Sequence, residues 1–366
     1  MVKVVYDSFE GRFSDNPRAL YEGMRHSLAN LEHVWLCDPL HASGFPAGVQ
    51  TVPATGPDAR AALESADLVI ANTHIELDWV KKPGAVYLQT WHGTPLKRIH
   101  NDVLWAPEGK LAELDRDVHR WDYLLSPNRV STPRLRDAFG FEGEVLEVGY
   151  PRNDILASAE APAVRARVRA ALGIPDDVTA VLYTPTWRDD EFYADGTPNV
   201  QLALDIDAFV RELGPRQWLL PRLHYKVTNR SEPLDRPGVV DVSRHPDAAE
   251  LYLAADVMVT DYSSTMFDFA ITGKPMLFYA YDLESYRDSL RGFYFDFEPL
   301  APGPVLQTSG EVIAALQNLD EVSRHYAERY AAFRRLFTHL DDGHAGDRLR
   351  WLYAERAREP QLSGRD

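Results

Sequence analysis

The sequence predicts an α/β protein built from two doubly wound, mostly parallel sheets. Short apolar segments alternate with helical segments along nearly the whole chain, and this alternation is typical of βαβ units. The chain has 366 residues, which is more than one hydrophobic core usually supports, so two domains are expected. Polar, reactive residues follow several predicted strands, which is where open α/β sheets bind ligands.

The first domain is predicted to span residues 1–158. Its opening strand is followed by Asp15-Asn16-Pro17, and Asx before proline is a signal for the start of a helix. The predicted strands of this half are residues 3–6, 33–36, 67–70, 85–89, 123–125 and 145–148, and its helices are 19–28, 59–63, 113–119 and 133–139.

The second domain is predicted to span residues 159–338, after a small, proline-containing break at 158–162. Residues 339–366 are predicted to form a final helix and a polar tail that pack back on the N-terminal domain. The predicted strands are 180–183, 218–220, 238–242, 257–259, 275–280 and 294–297, and the helices are 164–172, 206–213, 248–254, 311–319, 321–337 and 345–357.

Residues 256–282 form the most informative stretch, predicted as strand, hydroxyl-rich turn, helix and strand. The turn contains Asp261 and the cluster Ser263-Ser264-Thr265, and Gly273 is predicted to end the helix. A helix start beyond a strand offers free N–H groups and the positive end of the helix dipole to a phosphate. The alternative is that Ser263 or Ser264 is only an N-cap, and the turn alone leaves both interpretations open.

Composition narrows the class of protein. The formal net charge of −16 argues against nonspecific nucleic-acid binding, which needs a basic face. The single cysteine, Cys37, excludes an intramolecular disulfide and a cysteine-based zinc site. No apolar segment approaches the ~20 residues of a membrane-spanning helix, and the N-terminus lacks a signal-peptide core, so a cytoplasmic location is expected.

Histidine and basic side chains gather directly after four predicted strands, and the hydroxyl cluster follows a fifth, which indicates an anionic substrate. Arginine binds phosphate through two parallel hydrogen bonds, and histidine titrates near neutral pH, as an acid or base should. No Walker loop, G-x-G-x-x-G motif or clustered metal-ligand motif is present, so no cofactor is expected. Carboxylate pairs such as Asp189-Asp190 could hold Mg²⁺, but solvated loop acids are the favoured interpretation, and no metal site is predicted. The residues concerned are His92, Lys97, Arg152, Arg188, Arg222, His224 and Lys226.

These motifs together resemble the CDP-glycerol glycerophosphotransferases, which build teichoic acids and related phosphate polymers. The resemblance implies a GT-B architecture, in which two Rossmann-like domains face each other across a cleft and the C-terminal helix crosses back to the N-terminal domain. It implies acceptor binding by the first domain and CDP-donor binding by the second. The matching segments are residues 91–97, 149–154, 183–189, 222–224, 256–281, 292–296, 302–304, and 342–343 with Arg348.

The resemblance implies transfer of glycerol phosphate from CDP-glycerol to a hydroxyl of a teichoic-acid or capsule-like acceptor linked to lipid, with release of CMP. By position, His92 is expected to act as general base or to align the acceptor. His224 is expected to act at the pyrophosphate as acid or charge stabiliser. The expected donor-phosphate residues are Arg188, Ser263, Ser264, Thr265, Asp261 and Arg152, and the expected acceptor-side residues are Gly93, Thr94 and Lys97.

Two alternatives remain open from the residues. One is a GT-B glycosyltransferase or ribitol-phosphate transferase that uses another CDP or UDP donor, and the other is a non-catalytic protein that binds nucleotides or anionic polymers. Many polymerases of the resembling family carry a large extra N-terminal region that this sequence lacks, which weakens the inference of a processive polymerase and leaves room for a primase that adds a single unit. The resemblance also implies peripheral attachment at the inner face of the cell membrane. Oligomeric state is not predicted.

Overall fold

The structure is a computed structural model that describes residues 1–25, 30–186, 202–223, 234, 236–283 and 292–358, with only the backbone at 355–358. The chain divides into two compact units. Unit 1 comprises Met1–Thr94, His100–Asp154 and Leu340–Asp366, and unit 2 comprises Pro95–Ile99 and Ile155–His339.

Unit 1 contains a seven-stranded parallel sheet in the order β3-β2-β1-β4-β5-β6-β7. The strand order reverses between β1 and β4, so the carboxyl ends of these two strands flank the crevice where such sheets bind ligands. Strand β3 was not predicted, because it lies in a proline- and glycine-rich connection. The strands are β1 (Val2–Asp7), β2 (Leu31–Cys37), β3 (Thr51–Pro53), β4 (Leu68–Ala71), β5 (Val86–Gln89), β6 (Tyr123–Ser126) and β7 (Glu144–Glu147).

Unit 2 contains a five-stranded parallel sheet in the order β12-β11-β10-β8-β9. Its strand order reverses between β8 and β10, and all four residues of β10 are buried. The carboxyl ends of β8 and β10 therefore form the second expected ligand crevice. The strands are β8 (Thr179–Thr184), β9 (Gln217–Pro221), β10 (Val257–Thr260), β11 (Met276–Tyr279) and β12 (Val305–Leu306).

Helices cover both faces of the sheets, as the alternating pattern predicted. In the part of the chain that the structure describes, no helix has the length and apolar character needed to cross a bilayer. The helices are α1 (Asp15–Met24), α2 (Pro57–Ser65), α3 (Lys110–Val118), α4 (Ser131–Phe139), α5 (Asp154–Ala157), α6 (Ala161–Ala171), α7 (Ile206–Leu213), α8 (Ala248–Ala254), α9 (Thr265–Phe269), α10 (Phe297–Leu300), α11 (Ser309–Gln317), α12 (Leu319–Phe337), α13 (Ala345–Arg348) and α14 (Arg350–Arg358).

The C-terminal helices α13 and α14 belong to unit 1. Leu352 and Tyr353 are buried in the same hydrophobic cluster as Tyr6 of the central strand β1. The Asp154 carboxylate accepts the main-chain N–H groups at the start of α13, from Ala345 at 2.9 Å and from Gly346 at 2.8 Å. The predicted return of the final helix to the N-terminal part of the chain is therefore confirmed.

The start of β10 is held by a charged cluster. The Asp256 carboxylate accepts from Arg165 at 2.6 Å, from Arg169 at 3.0 Å and from the main-chain N–H of Ala180, the neighbouring residue on β8, at 2.8 Å. Lys274 donates to three main-chain carbonyls at the end of α8, and burial lowers its pKa to about 8. These contacts join α6, α8, β8 and β10. They therefore help to fix the position of β10 and of the turn that follows it.

The predicted strand at 294–297 is wrong. Phe293 forms an isolated antiparallel bridge with Lys97, and helix α10 begins at Phe297. The alternating aromatic side chains point in two directions, and each set packs against a different group of aromatic residues. Phe293 contacts Tyr262 with ring centroids 5.5 Å apart, whereas Phe295 contacts Phe337 at 5.7 Å. The period of two therefore arose from two packing partners and not from strand pairing.

The predicted strand at 238–242 is also not formed as a regular element. Val239 makes isolated bridges to Leu219 and to Arg236, and Val240 donates to the main-chain oxygen of Leu219 at 2.9 Å. The segment lies along β9 and is joined to it by three main-chain hydrogen bonds, from Leu219 to Gly238, from Val240 to Leu219 and from Val242 to Pro221. It continues the pairing of the sheet without the regular geometry of a strand.

Gly303 provides a test of the packing in unit 2. A Cβ atom at Gly303 would lie 1.9 Å from the main-chain oxygen of Met276 in β11. Because that atom is backbone in a central strand, it cannot move aside. We expect Gly303→Ala to lower the free energy of unfolding by about 2–3 kcal/mol or more, measured by urea denaturation.

Gly310→Ala is the matched control. A Cβ at Gly310 meets nothing closer than 4.0 Å, and alanine is favoured over glycine within helix α11 by up to ~1 kcal/mol. The control should match or slightly exceed the stability of the parent chain. Equal unfolding midpoints for the two variants would contradict the close approach of Gly303 to β11.

Candidate active site

His92 lies in the loop that follows β5, and one hydrogen bond sets its imidazole. Its Nδ1 atom lies 2.7 Å from the main-chain oxygen of Asn72, which follows the adjacent strand β4. A carbonyl oxygen only accepts, so Nδ1 of a neutral ring must carry the proton. The lone pair then resides on Nε2, and among the described residues no hydrogen bond engages that atom. His92 therefore has the tautomer of a general base.

The surroundings of His92 favour its neutral form. Burial lowers the pKa of His92 below its usual value, and this effect outweighs the opposing influence of the Asn72 carbonyl and of Asp15. The positive charge of Arg152 lowers the pKa further. Because the imidazole resists protonation, it stays available to accept a proton at neutral pH.

Trp91, directly before His92, has a strained main chain. Its φ of +52° places a bulky residue in the left-handed region, which is uncommon for such side chains. Gln89 accepts from the Trp91 N–H at 2.9 Å, and the buried Asn16 donates to the Trp91 oxygen at 3.1 Å. Two buried side chains thus impose a conformation that turns His92 back over β4, and such strain is typical of functional sites.

Arg152 lies beside His92 in unit 1. Its guanidinium donates to the Asp15 carboxylate at 2.8 Å and to the main-chain oxygen of His92 at 2.9 Å, and it covers the ring of Tyr150 at 4.7 Å. These contacts give Arg152 a role in holding the His92 loop. The donor-phosphate role expected from the sequence stays a prediction.

The three expected acceptor-side residues have different environments. Gly93 and Thr94 are buried, and the Thr94 hydroxyl accepts from the Asn128 side chain at 3.3 Å, which holds the loop to the connection after β6. Lys97 belongs to the short segment Pro95–Ile99 of unit 2, where it bridges Phe293. Their expected contact with the acceptor stays a prediction.

In unit 2, Asp261 links the carboxyl ends of β8 and β10. Its carboxylate accepts the main-chain N–H of Thr186 at 3.0 and 2.9 Å and the Thr186 hydroxyl at 2.6 Å. Thr260 donates to the main-chain oxygen of Thr184 at 2.8 Å, and the Thr184 and Thr265 hydroxyls are 3.3 Å apart. Asp261 thus orders the hydroxyl-lined switch point, and its expected contact with the donor stays a prediction.

The hydroxyl cluster lies at the start of α9. Ser264 occupies the N-cap position without a side-chain capping bond, and the Ser263 hydroxyl accepts from the Thr265 N–H at a long 3.4 Å. The N-cap alternative therefore applies weakly to Ser263 and does not apply to Ser264. Gly273 ends the helical segment with a φ of +73°, as predicted.

Two expected site residues, His224 and Arg188, lie outside the described residues, as does Lys226. Arg222, which follows β9, donates to the main-chain oxygens of Val242 at 3.3 Å and of His245 at 2.7 Å. Its described contacts therefore hold the segment after β9. In the ranges that the structure covers, no group of three or more His, Cys, Asp or Glu side chains is arranged to bind a metal ion.

A set of polar residues at the ends of β1 and β4 was not predicted from the sequence. Asp7 is the last residue of β1, and Asn72, Thr73 and His74 follow β4. The rule that ligands bind beyond strand ends was applied to five other strands, and applied to these two it would have found the set. No sequence signal showed that Asn72 supports His92, because that contact uses its main-chain oxygen.

The chain matches the model of the CDP-glycerol:poly(glycerophosphate) glycerophosphotransferase family over residues 2–352. The chain belongs to this family. The match confirms the resemblance inferred from the motifs and covers both units.

Named relatives and solved structures agree. The chain is 38% identical to a teichoic acid glycerol-phosphate transferase of Staphylococcus aureus over 94% of this chain and 91% of that protein. It is 37% identical to a teichoic acid poly(glycerol phosphate) polymerase of Staphylococcus epidermidis over 93% of this chain, but it spans only 49% of that polymerase.

The structure of the wall teichoic acid polymerase TagF aligns with a TM-score of 0.90 and 36% identity, covering 99% of this chain and 90% of that one. A histidine-to-asparagine variant of TagF soaked with CDPG aligns with a TM-score of 0.89 and 35% identity, over 98% of this chain and 90% of that chain. These alignments confirm the predicted GT-B fold class.

The tautomer and pKa of His92 can be measured directly. In protein labelled with ¹⁵N at histidine, we expect the His92 resonances to report Nδ1–H and to titrate below the usual histidine range, because burial disfavours the cation. Asp15→Asn should lower this pKa further, since the Asp15 charge favours protonation. The signals are assigned by their loss in His92→Gln. An Nε2–H tautomer would show that the contact with Asn72 has been misassigned.

Proposed function

We propose that this chain transfers glycerol phosphate from CDP-glycerol to a hydroxyl group of a glycerol-phosphate polymer or lipid-linked saccharide, releasing CMP. Family membership supports the donor and the reaction type. The observation that carries the proposal is the geometry of His92. Its proton is held at Nδ1 by a main-chain carbonyl, and its basic Nε2 is kept neutral by burial. A transferase that activates a hydroxyl needs such a base.

The proposed reaction is a substitution at phosphorus. The acceptor oxygen attacks the distal phosphorus of CDP-glycerol, and the bond from this phosphorus to the bridging oxygen breaks. The acceptor proton passes to Nε2 of His92, and CMP leaves with the electron pair of the broken bond. We assign His224 and Arg188 to charge stabilisation at the pyrophosphate, because their motifs match the family, although both lie outside the described residues.

We assign the donor to the switch point of unit 2. The loop ends there present the hydroxyls of Thr184, Thr186, Ser263, Ser264 and Thr265 within a short span of two adjacent strands. The relative TagF has been studied with CDPG, which supports a cytidine donor here. The hydroxyl of Ser264 is especially suited to a phosphate, because the helix does not use it as a cap.

We also place the reaction at the inner face of the cell membrane, with peripheral attachment. A lipid-linked acceptor remains in the bilayer, so the enzyme must come to the surface to reach it. Sedimentation with vesicles that carry the acceptor, compared with vesicles that lack it, tests whether the acceptor itself brings the protein to the membrane.

The activity is tested with purified protein, CDP-glycerol and acceptors of both kinds, by measuring CMP release and product masses. We expect transfer, and we expect His92→Gln to lower kcat by roughly 10²–10⁴-fold, the usual contribution of a general base. His325→Gln is the matched control, because His325 is exposed in the middle of α12. It should leave kcat unchanged.

Other outcomes point to the alternatives. If CMP or UDP is released from CDP-ribitol or from a nucleotide sugar, and not from CDP-glycerol, then that compound is the donor. Nucleotide binding without turnover would indicate a binding protein. The number of units added to each acceptor separates a primase from a polymerase. Near-parental transfer by His92→Gln would refute the assignment of the base.

Donor binding is tested at Ser264. We expect Ser264→Ala to weaken CDP-glycerol binding about 10-fold, measured by calorimetry, since a hydrogen bond to a charged group contributes ~1.5–3 kcal/mol. Stability should change little, because the Ser264 side chain makes no capping bond. Ser323→Ala, which removes a hydroxyl from α12, is the control. Unchanged donor affinity in Ser264→Ala would place the phosphates elsewhere.

A further inference from the structure

Among the buried polar atoms without a described partner at the switch point of unit 1, two belong to side chains of buried residues, whereas Thr73 and His74 are only partly buried. Asn72 is fully buried and Asp7 is 5% exposed. Nδ2 of Asn72 and Oδ1 of Asp7 make no hydrogen bond with any described residue. Leaving a buried donor or acceptor unsatisfied is costly, so native proteins rarely do so without a reason. A bound group that accepts from the Asn72 amide and donates to the Asp7 carboxyl oxygen would satisfy both atoms at the expected ligand crevice.

The Asn72 side chain is oriented by its other contacts. Its Oδ1 accepts the main-chain N–H of Phe9 at 2.9 Å, and its main-chain oxygen contacts Nδ1 of His92 at 2.7 Å. The amide group thus cannot rotate to exchange its two ends without losing the bond to Phe9. Asn72 is tied at once to the loop after β1 and to the candidate base.

The Asp7 side chain is held in a similar way. Asp7 pairs with Ala71 across the sheet, so Asn72 is the next residue beyond its partner. The carboxyl group accepts the main-chain N–H groups of Gly11 and Ser8, and burial raises the pKa of Asp7 to about 7.

We propose that Asn72 Nδ2 and Asp7 Oδ1 together bind the hydroxyl next to the reacting one, so that the chain recognises an acceptor ending in a vicinal diol. A hydroxyl both accepts and donates, which matches one free N–H and one free carboxyl oxygen. In this proposal the neighbouring hydroxyl of the same diol meets Nε2 of His92, the ring whose Nδ1 contacts the main-chain oxygen of Asn72. Asn72 and Asp7 are specificity-determining residues in this proposal, which rests on the proposed transferase activity.

The test compares two soluble acceptors with unmodified protein. One ends in a glycerol phosphate with a 1,2-diol, and the other ends in 3-hydroxypropyl phosphate, which lacks only the 2-hydroxyl. We expect kcat/KM to fall at least about ten-fold for the second acceptor, because the two buried groups are left unpaired. Equal use of both acceptors would overturn the proposal and leave water as the partner of these atoms.

Variants connect that preference to the residues. Asn72→Asp keeps the oxygen that accepts from Phe9 and replaces only the N–H donor. It should lower kcat/KM about ten-fold for the diol acceptor but little for the deoxy acceptor, so that the preference disappears. Asp7→Asn should also reduce the preference. The exposed Asn101→Asp is the charge-matched control and should retain the preference.

The two levels of failure are distinguishable. If neither acceptor supports CMP release from CDP-glycerol, the proposed function fails. If both support transfer at similar rates, only the diol recognition fails. If Asn72→Asp does not fold, the comparison of the two acceptors with the parent protein still decides the proposal. A retained diol preference in a folded Asn72→Asp protein would refute the role of Asn72.

Discussion

The candidate active site depends on the hydrogen bond between Nδ1 of His92 and the main-chain oxygen of Asn72. This contact sets the tautomer of the imidazole, and with it the position of the basic nitrogen. It forms because β4 and β5 are adjacent parallel strands whose carboxyl ends leave the sheet at the same edge. The turn at Trp91 then brings the next residue back toward β4. Without the strand order of unit 1, His92 would have no reason to face Asn72.

The surrounding residues act as a frame for this contact. Asn16 holds the Trp91 carbonyl, and Arg152 holds the His92 carbonyl while paired with Asp15. The loops after β5 and β7 and the start of α1 therefore meet at one point. Both partners of the Arg152–Asp15 pair are largely buried, and such a pair is costly to break because the remaining charge is left uncompensated. The strain at Trp91 is sustained by these contacts.

Unit 2 applies the same topological rule with different chemistry. Its switch point, between β8 and β10, is lined by hydroxyl groups, and the one buried carboxylate described there, Asp261, orders Thr186. The charged residues Asp256, Arg165, Arg169 and Lys274 lie at the opposite end of β10 and brace it. These four charged residues thus hold strand and helix ends at the start of β10, while hydroxyl groups lie at the carboxyl ends of β8 and β10.

Much of the fold was predictable from local pattern. Apolar segments and helix signals located nearly all the strands and helices, because each segment carries its own periodicity. The errors in strand prediction arose where an apparent strand pattern had another cause or where a strand was too short to show one. Residues 294–297 alternate because Phe293 and Phe295 pack on different aromatic clusters, and β3 is too short and too rich in turn residues nearby to show alternation. The strand-end rule found His92, Arg152 and Ser263–Thr265. It did not find Asp15 and Asn16, which hold Arg152 and the Trp91 carbonyl, because their sequence pattern indicated only the start of a helix.

The sequence by itself determined the α/β class, the presence of two sheets, the family motifs and the position of His92 after a strand, since all of these depend on residue types and spacing along the chain. Only the tertiary structure decided which polar groups are engaged and which are left open. Arg152 and Arg222 donate hydrogen bonds to main-chain carbonyl oxygens. Asp7 and Asn72 each have one buried side-chain atom without a partner among the described residues. The physical reason is that the partner of a polar group is set by strand order and burial, and neither can be deduced from neighbouring residues in the chain.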